Sequence, residues 1–233
     1  MSVLTPEEWE VLLLSLKVSG AAMACVLPVA FALAWALARW RFPGLILLDA
    51  LVHLPLVLPP VVTGWLLLIA LAPNAPLGRF FADALGMTFL FRWTGAALAA
   101  GVMALPLMVR AMRLSLEAVD RKLEQAARTL GAGRVRTFVS VTLPLAMPGV
   151  LAALVLGFAR SIGEFGATIT FASNIPGETR TLPLAIYNAL QIPGSEWQVT
   201  RLAGLSVLLS LLALVLSEWL ARRGRAQGMH HVL

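Results

Sequence analysis

Residues 11–38 read VLLLSLKVSGAAMACVLPVAFALAWALA, and Lys17 is the one charged side chain among them. A helix needs ~20 mostly apolar residues to cross ~30 Å of hydrocarbon, so this stretch is long enough to span a membrane. It is too long for a cleavable secretory leader, and Glu7, Glu8 and Glu10 ahead of it are acidic where such a leader is basic. It is therefore read as a retained anchor. Four further apolar stretches follow, at 45–72, 94–112, 145–173 and 202–221. The second contains Asp49, His53, Pro55, Pro59 and Pro60; the fourth contains Arg160 and Glu164. Composition agrees with this reading. Hydrophobic residues make up 59% of the 233 and charged residues 13%, about half the usual share, which excludes a water-soluble monomer. It also excludes a disordered chain. Cys25 is the sole cysteine, so a disulfide scaffold and Cys-based zinc or iron–sulfur sites are excluded. The expected architecture is an all-α integral membrane domain over 1–233, with about five transmembrane helices.

The basic residues sort by side. With the amino terminus outside, the inner segments hold Arg39, Arg41, Arg110, Arg113, Arg121, Lys122, Arg128, Arg134, Arg136, Arg222, Arg223 and Arg225, 12 of the 18 Lys and Arg. Inner loops collect Lys and Arg, so a periplasmic amino terminus and a cytoplasmic carboxyl terminus are expected. The same asymmetry accounts for the net charge of +6 without a nucleic-acid partner. On the outside, Leu77, Phe80, Phe81, Leu85 and Phe89 suit a short helix at the lipid–water interface. Pro176-Gly177 and Pro193-Gly194 are turn signals flanking an apolar stretch, 182–190, read as a helix starting at Pro183.

The loop at about 113–143 carries the most specific pattern. Leu116, Val119, Leu123, Ala127 and Leu130 recur at helical spacing and predict one apolar ridge. Glu117–Arg121 and Glu124–Arg128 are acid-before-base pairs at i,i+4 that support such a helix. Gly131 and Gly133 are expected to end it, and Pro144 to open the next one. Spacing alone leaves two readings, a solvated amphipathic linker and a helix that docks on a soluble partner.

Gln125-Ala126-Ala127, three residues, Gly131, then after nine more Val141-Thr142-Leu143-Pro144 resemble the EAA loop of ABC importer permeases. Gln125 stands where that family has Glu, with Glu124 one place earlier, and Val141 replaces Ile. Arg160-Ser161-Ile162-Gly163-Glu164-Phe165-Gly166-Ala167-Thr168, Asn174 through Thr181 and Asp49 through Gly64 resemble the oxyanion branch of those permeases, and are most similar to molybdate permeases. Sulfate, thiosulfate and tungstate permeases are the nearest alternatives. The resemblance implies a type I ABC importer permease fold. It implies a homodimer, two cytoplasmic ATPase subunits, a periplasmic oxyanion-binding protein and a place in the bacterial inner membrane. The cytoplasmic loop at about 113–143 is then the ATPase-coupling loop, with Glu124, Gln125, Ala126, Ala127, Gly131, Leu143 and Pro144 as the candidate coupling residues.

The chain shows no phosphate-cradling G-x-x-x-x-G-K-[ST], so ATP and Mg are expected on the partner, with no cofactor or metal on this chain and no catalysis by it. An ionisable residue inside a span marks a pathway, a pair or a wet cavity. Arg160 and Glu164, four apart, are read either as a rigidifying salt bridge or as part of a translocation pathway with Ser161, Thr168 and Thr170. A third use of the pair, a proton relay in a secondary transporter, is the competing function. Pro55, Pro59 and Pro60 remove backbone donors, must kink or interrupt the second stretch, and are candidate hinges. Gly163 and Gly166 are expected either to break the fourth stretch or to mark a close helix contact in a tilted one. His53 is read as a packing residue, Lys17 as snorkelling to the interface and Cys25 as a small buried side chain. His230 and His231 are not taken as a metal site. An intramembrane hydrolase lacks a recognisable nucleophile–base motif.

Overall fold

The computed structural model describes residues 4–230, and among these every regular element is a helix. His231 lies outside the described residues. Helix α1 (Pro6–Arg39) begins with a capping box: Glu8 N–H donates to Thr5 Oγ1, and Thr5 N–H donates to the Glu8 carboxylate. Its 34 residues extend about 51 Å, enough to cross the bilayer and protrude. Helices α2 (Leu45–Val57) and α3 (Pro60–Ala70) follow, then α4 (Pro76–Leu85) and α5 (Trp93–Glu117). Next come α6 (Arg121–Thr129) and the short α7 (Arg134–Thr137), which runs through a π-helical turn (Phe138–Thr142) into α8 (Leu143–Ile162). Helices α9 (Gly166–Ala172), α10 (Leu182–Leu190) and α11 (Glu196–His230) complete the chain.

Four helical segments, in α1, α5, α7–α8 and α11, are long and apolar enough to span a membrane; α2 and α3 make a fifth if the bent pair counts as one. Residues 45–72 are not a straight crossing. The two helices meet at 116°, because Pro59 and Pro60 lack N–H groups and the Pro59 ring drives Leu58 to extended backbone (φ −69°, ψ 142°). Pro55 sits inside α2 without interrupting it.

The core forms where α1, α5 and α8 meet. Gly95, Ala96, Ala97, Ala99, Ala100, Gly101 and Ala104 give α5 a small-residue surface, and a side chain at Gly101 would stand 2.7 Å from Val26. Gly157 of α8 lies against Met108 and Met23 in the same way. Small residues let helices approach closely where lipid removes the usual hydrophobic drive to associate. The outward faces remain apolar: Ile46 and Val57 on α2, and Leu208, Leu211, Leu212 and Val215 on α11, are exposed. Cys25 is exposed as well, contrary to the expected burial.

Pro144 stands in the first turn of α8, as expected. Its missing N–H and its ring disturb the turn before it, and the chain absorbs this by widening to π geometry, with Leu143 N–H bonding to Phe138 O. Residues 145–173, read as one stretch, are two helices. Helix α8 stops at Ile162 with Gly163 as its C-cap, and α9 starts at Gly166.

Candidate functional site

Side chains assigned to the two sides of the membrane gather at opposite ends of the bundle. At one end, Glu8 is buried and receives Arg201 at 2.7 Å, Lys17 Nζ lies 4.0 Å from the Trp93 ring, and Trp93 N–H donates to Glu178. Ser15 Oγ accepts from Leu182 N–H and ties α10 to α1. At the other end, Arg39 meets Glu124, and Arg113 bridges Asp49 (3.2 Å) and Glu117 (2.8 Å). His53 Nδ1 lies 2.9 Å from the Asp49 carbonyl and 3.1 Å from its carboxylate.

The second end carries the elbow. Asp120 caps α6 by accepting from Lys122 N–H. The helix ends in a Schellman turn: Ala132 N–H donates to Ala127 O, Gly131 N–H donates to Arg128 O, and Gly131 takes φ +86°. The continuous ridge expected from 116 to 130 does not form. Helix α5 ends at Glu117 and Asp120 caps a separate helix, α6, and Leu116 and Val119 are buried in the core. Leu123 and Leu130 stand out from the elbow, Leu130 at 89% exposure, joined by Val135 and Val139. Gln125 and Ala126 are exposed, and Ala127 is half-buried.

Glu124 points inward. Arg39 Nη2 donates to its Oε1 at 2.9 Å, Arg39 Nη1 to Oε2 at 3.3 Å, and Thr142 Oγ1 to Oε1 at 2.6 Å. Arg39 Nη2 also reaches the Leu116 carbonyl, so one guanidinium joins the ends of α1 and α5 to the elbow. Glu124 therefore does not make the expected pair with Arg128, nor Glu117 with Arg121: Glu117 pairs with Arg113 four residues before it on α5, and Glu124 with Arg39 of α1. Arg39 and Thr142 were not legible as site residues. Arg39 reads in sequence as a topology charge at the end of an apolar run.

Deeper in the bundle, Arg160 holds Glu164 at 2.7 Å, with the Glu164 side chain 2% exposed and that of Arg160 30%. The other Glu164 oxygen accepts from Ala167 N–H, capping α9. Two donors thus fix this carboxylate. Thr168 is buried, and Thr170 Oγ1 donates to its own helix at Gly166 O, so it is not a free donor for a solute. The buried hydroxyls of Ser161 and Thr63 have no hydrogen-bond partner among the described residues. Helices α3 and α9 cross almost backbone to backbone: a Cβ at Gly64 would lie 2.6 Å from Ala167 O, and one at Gly166 2.7 Å from Pro60 Cβ. The structure thus brings Pro60, Gly166 and Glu164 into one region and leaves Pro55 on another helix segment. Among the described residues, no three His, Cys, Asp or Glu side chains converge to hold a metal.

Residues 27–226 match the family of binding-protein-dependent transport system inner membrane components. The chain belongs to that family. It is 57% identical over 226 residues to the molybdenum transport system permease protein ModB of Escherichia coli K12, covering 97% of this chain and 99% of the relative. It is 41% identical over 159 residues to the sulfate transport system permease protein CysT of Salmonella typhimurium, covering 68% and 57% of the two chains. A solved bacterial alginate ABC transporter, in complex with an alginate pentasaccharide-bound periplasmic protein, shares the fold with a TM-score of 0.69 at 18% identity over 95% of this chain and 80% of its own. The chain is a multi-pass inner-membrane transport permease with an all-helical type I importer fold.

Proposed function

We propose that this chain is the membrane-spanning subunit of an ATP-driven importer that moves molybdate inward by alternating access. The observation that carries the reading is the 57% identity to a molybdenum permease over 97% of the chain. The elbow supports it. It presents Leu123, Leu130, Val135 and Val139 to solvent at the end where Arg39, Arg113 and Glu124 gather, the end the basic-residue count assigns to the cytoplasm. Two cytoplasmic ATPase subunits bind there, with Gln125, Ala126, Ala127 and Gly131 at the surface and Leu143 and Pro144 passing movement into α8. A homodimer gives the pair of ATPases a matching two-fold partner. The opposite end, where the amino terminus lies, receives a periplasmic oxyanion-binding protein.

Coupling needs contacts that differ between two states. The Glu124–Arg39–Thr142 cluster is suited to transmit them, because displacement of the elbow acts on α1 and on the start of α8 at once. Along the pathway, Arg160 is neutralised by Glu164. The passing anion therefore meets a balanced pair rather than a bare charge that would trap it. A proton relay fits this geometry poorly, since the carboxylate is held by a guanidinium and a backbone N–H.

The test is reconstitution of the chain with its candidate ATPase and binding protein in vesicles, followed by uptake of labelled molybdate against unlabelled sulfate and tungstate. ATP-dependent molybdate uptake resisting excess sulfate is expected. Sulfate competing on equal terms moves the assignment to sulfate, the second reading, which the identity to CysT favours. Uptake driven by a proton gradient without ATP overturns both.

A further inference from the structure

Beside the elbow, a cavity of about 570 Å³ opens between the end of α1, α6, α7 and the π turn. Arg39, Arg121, Arg128 and Arg134 line it, and its one carboxylate is Glu124. That carboxylate already accepts from Arg39 and Thr142. Four guanidinium groups against one carboxylate leave three positive charges in excess. Arg121, Arg128 and Arg134 form no ion pair among the described residues. Arg39 Nε is buried with no hydrogen-bond partner among them either. Trp35 and Trp40 complete the wall. The apolar run of α1 ends at Ala38, so the cavity sits at the level where hydrocarbon gives way to water.

We propose that this cavity binds the phosphate of an anionic phospholipid headgroup, such as phosphatidylglycerol. Guanidinium forks match phosphate oxygens two at a time, which favours a phosphate ester over a lone carboxylate. Indole rings at the interface favour a lipid over a soluble anion, because the acyl chains hold the headgroup at that depth. Basic pockets at the cytoplasmic ends of membrane helices are suited to such headgroups. Arg39 comes from α1, Arg121 and Arg128 from α6, and Arg134 from α7 beyond Gly131. A bound headgroup therefore ties both arms of the elbow to the end of α1. The inference rests on the membrane-spanning reading but requires neither ATPase docking nor molybdate.

The full chain, purified in a nonionic detergent, is mixed with equal amounts of phosphatidylglycerol and phosphatidylcholine of identical acyl chains, and retained lipid is counted by native mass spectrometry. Wild type is expected to retain phosphatidylglycerol with about tenfold preference, weakening as salt rises. Combined Arg121→Gln, Arg128→Gln and Arg134→Gln should abolish the preference, while Arg79→Gln with Arg92→Gln, exposed residues near α4 and the start of α5, should leave it intact. If the triple variant elutes as aggregate, Arg121→Gln and Arg134→Gln are measured singly, and each should lower the preference. Equal retention of the two lipids in wild type, or a preference that survives the substitutions, overturns the proposal. Full displacement of the lipid by equimolar glycerol 1-phosphate overturns the lipid assignment in favour of a soluble phosphate. No ATPase, ATP or oxyanion is present, so a failed uptake experiment and a failed binding experiment remain separate results.

Discussion

The elbow at α6–α7 and the crossing of α3 with α9 both depend on glycine, for opposite reasons. At the elbow, a Cβ on Gly131 would meet nothing within 4 Å; glycine is needed there for its backbone angle, φ +86°. At the crossing, Gly64 has no unusual angle, but a Cβ would strike the Ala167 backbone at 2.6 Å. The elbow has room and gives shape to an exposed surface. The crossing has no room and sets how closely two broken spans approach. Substitutions at the elbow should therefore act on coupling to a partner, whereas substitutions at the crossing should act on the bundle itself.

The sharpest break of this contrast is Gly64→Ala. A backbone carbonyl cannot rotate aside as a side chain can, so a loss of about 3 kcal/mol is expected from overpacking. Thermal unfolding in detergent would show it, with uptake lost in parallel; a variant as stable as wild type would mean that the two helices have slack. Next is Glu124→Gln, which keeps the shape but leaves Arg39 half-partnered, with side chains only 11% and 16% exposed in the native pair. A stability loss of about 2 kcal/mol and weaker stimulation of ATP hydrolysis by the permease are expected. At Gly131, alanine should cost about 1 kcal/mol through the left-handed angle alone. Tryptophan there carries the same angle penalty and adds bulk at the surface, so ATP hydrolysis should proceed without uptake; normal uptake by Gly131→Trp would remove the elbow from the docking surface. The smallest effect on stability belongs to Leu130→Ala, within about 0.5 kcal/mol because the side chain is already in solvent. Uptake should still fall, and an unchanged rate would mean that the ridge touches no partner.

The elbow was partly legible in the sequence. Gly131 announces a helix end because few other residues tolerate its angle, and that requirement is local. The apolar period across Leu116, Val119, Leu123 and Leu130 was misleading for an equally physical reason. Periodicity counts positions along the chain, and it persists numerically through Ala118 to Asp120, where α5 has ended and α6 has not begun. The acid–base pairs failed similarly. Glu117 takes the base four residues behind it, Arg113, because α5 ends at Glu117 and Arg121 belongs to the next helix; Glu124 takes Arg39 of α1 once the helices pack. The break between α8 and α9 could be suspected from Gly163 and Gly166, but spacing could not separate a break from a tilt.

Hydrophobic length, the sign of the exposed charge and the angle at Gly131 are properties of short segments, and the sequence alone determined them: a multi-span helical membrane protein with a basic, glycine-hinged elbow. Only tertiary structure decided that Glu124 turns to an arginine 85 residues away and that α3 lies against α9. Those outcomes depend on which surfaces meet across the bundle, and a charged or small side chain carries no local record of the neighbour it will find.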